Sequence, residues 1–316
     1  MIKKIKIKNL EIENNIFLAP MAGYTDAGFR ALVKRYGAGL TFTEMVSAKA
    51  LSMGSVKTEE LLVSMPEERP IAVQLFGKEP DAFRKAIGSG VLDKFDMIDI
   101  NMGCPAPKIV GNQEGSYLLT QMELAREIIK TCVNSTNKPI SVKFRSGFID
   151  NEIVAIEFAK MCEEAGASMI TLHPRTKSQG YSGHSDWELV KEVVKVVSIP
   201  VIASGDVHTR EDARYLIEEC GASGVMIGRG SLGKPEIFAE ILTGGTKKLS
   251  LKDKLEQINF HIDVLRKFHN ERFIYMTMKK HILAYLKEFK GVSELREKIC
   301  LCVSLDEMLK ILRDNS

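Results

Sequence analysis

Eight short runs of aliphatic and β-branched residues recur between residues 16 and 227, separated by longer stretches, most of them amphipathic. The runs are Ile16–Ala19, Leu40–Thr43, Ile71–Phe76, Met97–Asn101, Ile140–Arg145, Ser168–His173, Pro200–Ser204 and Gly224–Ile227. Short, nearly continuous apolar runs suit strands buried on both faces, as in a parallel sheet. The stretches Glu123–Cys132, Glu152–Ala165, Trp187–Val197, Arg210–Glu219 and Pro235–Leu242 instead space their apolar residues as helices do, and several stop at a glycine that can serve as a C-cap. Strand followed by helix, eight times in about 240 residues, is the arithmetic of an α/β fold of the (β/α)8 TIM-barrel type. A doubly wound open sheet is the competing architecture.

Two flanking segments complete the plan. Ile5, Ile7, Leu10 and Ile12 alternate with polar residues in a broken period of two, which predicts a β-hairpin across the barrel floor. Beyond Gly244-Gly245 the pattern is purely helical, near residues 251–269, 273–289 and 293–313. The chain therefore divides into a barrel domain, 1–244, and a small C-terminal helical bundle, 245–316.

Composition narrows the function. At 45% hydrophobic and 27% charged residues the chain has the makeup of a folded globular protein and not of a disordered one. No window approaches the roughly 18 consecutive apolar residues of a membrane span, and the start Met1-Ile2-Lys3-Lys4-Ile5-Lys6-Ile7-Lys8 lacks a signal-peptide core. A cytoplasmic protein without a membrane partner is expected. The six cysteines include no Cys-x-x-Cys, and neither His-Glu-x-x-His nor Gly-x-Ser-x-Gly occurs, so no metal site and no serine hydrolase is expected. Residues 245–316 hold 15 Lys and Arg against 10 Asp and Glu, leaving the tail at +5 and the rest at −2. A basic tail suits a polyanion, although charges this spread out are commonly a solvated surface. Within it Lys279 and Lys280, with Arg272 on the same helix, are candidate nucleic-acid contacts.

Barrel chemistry sits at the C-terminal ends of the strands, where alternate residues share a face. Gln74 lies between Val73 and Leu75; Asp99 and Asn101 alternate with isoleucines; Lys143 and Arg145 flank Phe144; Thr171 and His173 flank Leu172. Four consecutive strands thus direct polar side chains inward at one end. Cys104 follows in Asn101-Met102-Gly103-Cys104-Pro105, at the start of a loop where a thiol can act as nucleophile or general acid. Cys132, Cys162 and Cys220, on helices, read as small core hydrophobes.

Gly228-Arg229-Gly230-Ser231-Leu232-Gly233 matches the dinucleotide fingerprint, with Asp253 about 20 residues on. It follows the eighth strand, however, and no further strand completes a βαβ unit. In a barrel the loops after strands 7 and 8 form the usual phosphate site, and Ser204-Gly205-Asp206 supplies the other half. Gly205, Gly228 and Arg229 are read as gripping a phosphate.

These blocks together resemble a known family, the FMN-dependent tRNA-dihydrouridine synthases, and within it the bacterial B-type members. The resemblance runs from about residue 14 to about 240 and more weakly through the tail. It rests on Ala19-Pro20-Met21-Ala22-Gly23-Tyr24-Thr25-Asp26, Val73-Gln74-Leu75-Phe76-Gly77, Asp99-Ile100-Asn101-Met102-Gly103-Cys104-Pro105, Val142-Lys143-Phe144-Arg145, His173-Pro174-Arg175-Thr176 and Ile227-Gly228-Arg229-Gly230. The Asn-x-Gly-Cys-Pro and His-Pro-Arg-Thr blocks in this order are its most specific carriers. The resemblance implies reduction of a D-loop uridine of tRNA to dihydrouridine, with FMN reduced by NADPH or NADH. It implies that Pro20, Met21 and Ala22 run along the flavin, that Gln74, Lys143 and His173 surround its ring and ribityl, and that Ser204, Gly205, Asp206, Gly228 and Arg229 hold its phosphate. Cys104 would be the proton donor and Asn101 would lie beside the base. Read from the chain itself, Arg145, Arg175 and Lys177 are candidate substrate contacts, the last two within reach of backbone phosphates. No obligate protein partner is implied.

Five positions depart from the family pattern: Ser204 replaces an asparagine, Lys234 and Glu236 replace an asparagine and a tryptophan, and Glu114 and Tyr117 stand where small residues are usual. Two other readings share the motif set, a flavin-dependent barrel reductase of a free small molecule and a non-catalytic RNA-binding protein.

Overall fold

The computed structural model describes residues 1–245, 248–287, 289 and 292–314. Strands β1 (Ile5–Ile7) and β2 (Leu10–Ile12) form an antiparallel hairpin with Lys8 at φ 55° in its turn. Eight parallel strands follow: β3 (Ile16–Leu18), β4 (Thr41–Ser47), β5 (Ile71–Phe76), β6 (Met97–Met102), β7 (Ile140–Arg145), β8 (Met169–His173), β9 (Val201–Ser204) and β10 (Gly224–Ile227). Their order is β3-β10-β9-β8-β7-β6-β5-β4, and a Leu18 N–H donating to Leu40 O at 2.9 Å closes the ring between β3 and β4. The chain is a (β/α)8 barrel.

Alternation along the strands decides what fills it. Outward residues such as Ile16, Leu18, Val73, Ile98, Ile100 and Val142 pack under the helices. Helix Met122–Ser135, for example, buries Ala125, Ile128, Ile129 and Cys132, three and four apart. Inward residues at the strand starts are apolar: Phe17, Phe42, Ala72, Met97, Met169, Ile202 and Met226 form one cluster with Ile5, Ile7 and Ile12 of the hairpin, which plugs the floor. Higher up, the inward positions turn polar, at Gln74, Asp99, Ser141 and Thr171, all buried. That switch separates a packed half from a chemical half.

Four helices make the tail: Leu251–Leu265, Glu271–Tyr285, Ser293–Leu301 and Leu305–Asp314. The helix expected over 273–289 starts earlier, because Asn270 caps it by accepting from Phe273 N–H, and it ends earlier, at Tyr285, where Leu286 forms the C-cap. The single helix expected over 293–313 is instead two. Glu307 accepts from Val303 N–H at 2.8 Å and Ser304 Oγ from Glu307 N–H at 3.2 Å, a reciprocal cap that starts a new helix. Among the described residues no helix is long and apolar enough to cross a membrane.

The tail packs on the barrel through Leu32 of helix Ala27–Arg35, which joins Ile258, Ile262, Leu265, Ile274, Met278 and Ile282 in a buried cluster. Gly28 makes the approach feasible, since a Cβ there would lie 2.2 Å from the His261 ring. Asp26 then ties the two parts together. It accepts from Phe29 N–H at 3.0 Å, capping helix Ala27–Arg35, and meets His261 Nε2 at 2.8 Å and His281 Nε2 at 3.1 Å. Glu236, one of the departures, is buried 2.6 Å from Lys254 Nζ and also accepts from Gln257 at 3.1 Å, a second tie. Lys234 pairs with Glu240 at 2.7 Å.

Candidate active site

Sheet register stacks the polar residues into rungs. Gln74, Asp99 and Ser141 face one another across β5, β6 and β7; Asn101, Lys143 and Thr171 form the next rung; Arg145 and His173 the one above. At the open end lies a cavity of about 800 Å³, lined by Pro20, Met21, Ala22, Gln74, Asn101, Cys104, Lys143, Arg145, His173, Lys177 and Arg229. A smaller recess of about 90 Å³ adjoins it, bounded by Ser204, Gly205, Asp206, Gly228 and Arg229, and shares Pro20, Met21, Lys143 and His173 with it. Of the sixteen barrel residues expected to hold cofactor or substrate or to donate the proton, fifteen line one or both.

Arg175 is the exception. It is buried, and its guanidinium donates to Ser182 O, Gly183 O, Ser185 Oγ and the Asp206 carboxylate, at 3.2, 2.7, 2.9 and 2.6 Å. With these donors committed it fixes the loop after β8 and does not reach outward to a phosphate. Arg145 lines the cavity but likewise donates to Gly103 O, Thr176 O and Gly180 O. Asp206, at φ 57°, directs its carboxylate to Arg175 and to Ser185 N–H, so what it offers an anion is backbone and not side chain. In the tail, Lys279 donates to Tyr275 Oη at 3.2 Å and to Cys302 O at 3.3 Å, while Lys280 sits 4.9 Å from the Tyr24 ring centre. Both are engaged within the chain.

The glycines divide by role. Gly205 (φ 110°) would place a Cβ 2.4 Å from Ser185 Oγ and 2.8 Å from the His173 ring, so only glycine fits between the two loops. Gly230 and Gly233 serve close backbone approach, to Val207 O and to Ala284 O of the tail. The fingerprint match is therefore partly a packing motif.

The cavity is electropositive. Burial, then the charges of Lys143, Arg145, Arg175 and Arg229, hold His173 well below the usual imidazole range, so its ring is neutral. Burial and Arg145 bring the Lys143 ammonium down to about 8, partly opposed by Asp99 and Cys104. It is a cation at neutral pH that titrates just above. Burial raises the Cys104 thiol above its ordinary value despite an Ala106 N–H bond and the nearby Arg145 and Lys143, which keeps the proton on sulfur. This is the state of an acid and not of a nucleophile.

The dihydrouridine synthase family model matches residues 17–315 of the chain. The chain belongs to the dihydrouridine synthase family. A probable tRNA-dihydrouridine synthase 1 of Synechocystis sp. is 38% identical over 96% of this chain and 87% of its own length. The tRNA-dihydrouridine synthase B of Vibrio parahaemolyticus is 37% identical over 92% of each chain. Among solved structures, morphinone reductase superposes on this dihydrouridine synthase with a TM-score of 0.57 at 11% identity, covering 78% of this chain and 90% of that one. An old yellow enzyme homologue from Zymomonas mobilis does so with a TM-score of 0.58 at 14% identity, over 78% and 93%. At such identities the likeness is one of fold, the barrel.

Two aromatic residues of the synthase cavity were not assigned a role from sequence. Tyr181, more than half exposed, has its ring centre 4.4 Å from the Arg229 guanidinium and 5.4 Å from that of Arg145, and Tyr24 lines the same cavity. Tyr24 stands in the first of the motif blocks, but a tyrosine in a loop announces no direction.

Proposed function

We propose that this enzyme reduces a uridine in the D-loop of tRNA to 5,6-dihydrouridine, using FMN and NADPH or NADH. The observation that carries this reading is a protonated, half-buried Cys104 thiol on the wall of an electropositive cavity large enough for a flat cofactor and a base together.

The residues present fit FMN. The cavity of about 800 Å³ has room for the ring system, and the adjoining recess, bounded by Gly205, Gly228 and Arg229, suits a phosphate. When bound, the flavin supplies hydride to C6 of the uracil. Pro20, Met21 and Ala22 would form a wall for it, Gln74, Lys143 and His173 would hold its polar atoms, and the Lys143 ammonium would offset negative charge on it. Cys104 gives its proton to C5, so that the C5=C6 double bond takes up one hydride and one proton, and the thiolate is reprotonated from solvent. The base enters out of its stack, at a cost of a few kcal/mol that is smaller in an open loop. Tyr181 and Tyr24 offer it aromatic faces, and Lys177 lies at the mouth for a phosphate.

Incubating the protein with NADPH and unmodified tRNA yields dihydrouridine, read as a gain of about two mass units on a D-loop uridine by the chemistry of adding two hydrogens. Absence of the product in the presence of bound flavin contradicts the reading. Two variants test the cofactor site. Arg229→Ala weakens flavin retention about tenfold, from loss of a charge-assisted contact, and full flavin content after desalting would remove the phosphate assignment. Because Lys143 loses its charge as pH rises through about 8, affinity for the anionic cofactor falls between pH 7 and 9. Lys143→Gln abolishes that fall; titration of flavin fluorescence at the two pH values measures it, and an unchanged slope in the variant contradicts the role.

A further inference from the structure

At the cavity floor, the side chains of Asn101, Gln74, Asp99 and Ser141 are joined in one line. Asn101 Oδ1 accepts from the backbone N–H of Gly103 at 3.1 Å and of Cys104 at 2.9 Å. A backbone N–H can only donate, so the oxygen of Asn101 must face the loop and its NH₂ must face away. That NH₂ donates to Gln74 Oε1 at 2.9 Å, which forces the Gln74 NH₂ to the far side, where it donates to Asp99 Oδ2 at 2.7 Å. The line ends on a group that can accept. Ser141 Oγ donates to the other carboxylate oxygen, and Asp99 is fully buried.

We infer that Asp99 is a positioning residue: it fixes the direction of a side-chain amide relay, Asp99 to Gln74 to Asn101, that holds the Cys104 loop and leaves one N–H on each amide for acceptor atoms of whatever occupies the cavity. The two ends of the relay agree. Backbone donors set Asn101 from above and a buried acceptor sets Gln74 from below, so neither amide can flip without stranding a donor against a donor. A stranded buried group costs about 1–3 kcal/mol, enough to make one orientation dominant. Burial brings the Asp99 carboxyl up to about 6, opposed by Gln74, Ser141 and Lys143, so it remains chiefly an acceptor at neutral pH. Asparagine at position 99 preserves the relay, because its oxygen can face Gln74 while its NH₂ donates to the Ser141 hydroxyl. Alanine removes the acceptor.

This rests on the proposed role of Cys104, and the test separates the two. Asp99→Asn and Asp99→Ala are compared for kcat and KM on unmodified tRNA, and, on the protein as purified, for the alkylation rate of Cys104 by iodoacetamide, read by peptide mass mapping. Asp99→Ala lowers kcat roughly 10- to 100-fold, the scale of a misplaced catalytic group, leaves KM for tRNA within about twofold, and changes Cys104 alkylation at least about threefold. Asp99→Asn restores both to within about threefold of the parent. Should Asp99→Ala fail to fold, Gln74→Met breaks the same line one link later and shows the same altered alkylation. Parental kcat and alkylation in Asp99→Ala, or an Asp99→Asn variant as impaired as Asp99→Ala, overturns the inference. If the parent protein does not reduce tRNA uridine, the functional reading fails, and the alkylation comparison alone decides the relay.

Discussion

Cys104→Ala retains its flavin and its NADPH oxidation but forms dihydrouridine roughly 10²–10⁴ times more slowly, the usual contribution of a positioned general acid. The effect falls on kcat and not on KM, because the thiol contributes little to holding a tRNA. Its geometry explains the size. Cys104 is held at its backbone by Asn101 and by Ser116 N–H donating to Cys104 O at 3.1 Å, and burial keeps the sulfur protonated. Single-turnover reaction of reduced enzyme with tRNA measures the step directly, and a parental rate in Cys104→Ala removes the acid role. The thiol pKa also predicts a sign: activity falls as pH rises and the thiol loses its proton.

Asp26→Ala loosens the tail from the barrel. Burial pushes the Asp26 carboxyl up, but His261 and His281 more than offset this and hold it well below the usual carboxylate range. Removing it leaves two buried imidazoles without their acceptor and uncaps helix Ala27–Arg35, together about 3–5 kcal/mol. Thermal unfolding therefore begins several degrees lower, and trypsin cuts between barrel and tail in the variant before the parent. Burial and His261 also bring His281 down to about 4, partly opposed by Asp26. Its folded pKa lies below the unfolded value, so the stability it contributes is complete above about pH 6.5 and is lost as pH falls toward 4. An Asp26→Ala protein with parental unfolding and protease resistance contradicts the latch.

The barrel was legible because its signal is local. Period-two alternation placed Gln74, Asn101, Lys143 and His173 on inward faces without knowledge of any partner. The same rule exposed Asp99, yet its role waited for the register that sets it beside Gln74 and Ser141. Reach is not local. Arg175 was read as turning outward, but Gly183, Ser185 and Asp206 fold back around it from later in the chain. Asp26 meets histidines 235 and 255 residues away, which no window contains. The break between the last two helices was readable, since Ser304-x-x-Glu307 is a capping box within a continuous apolar period. Lys280, a candidate nucleic-acid contact from its helix alone, lies over Tyr24 of the barrel, a neighbour no local window shows.

In the proposed function one cavity passes hydride from a flavin to a tRNA base. Its most direct test reduces the purified protein anaerobically with NADPH and follows the visible band of oxidised flavin after adding unmodified tRNA or, separately, free uridine. The band returns rapidly with tRNA and little with free uridine, because the substrate is held by its backbone as well as its base. No flavin band, return with neither acceptor, or equal return with both would contradict the proposed function.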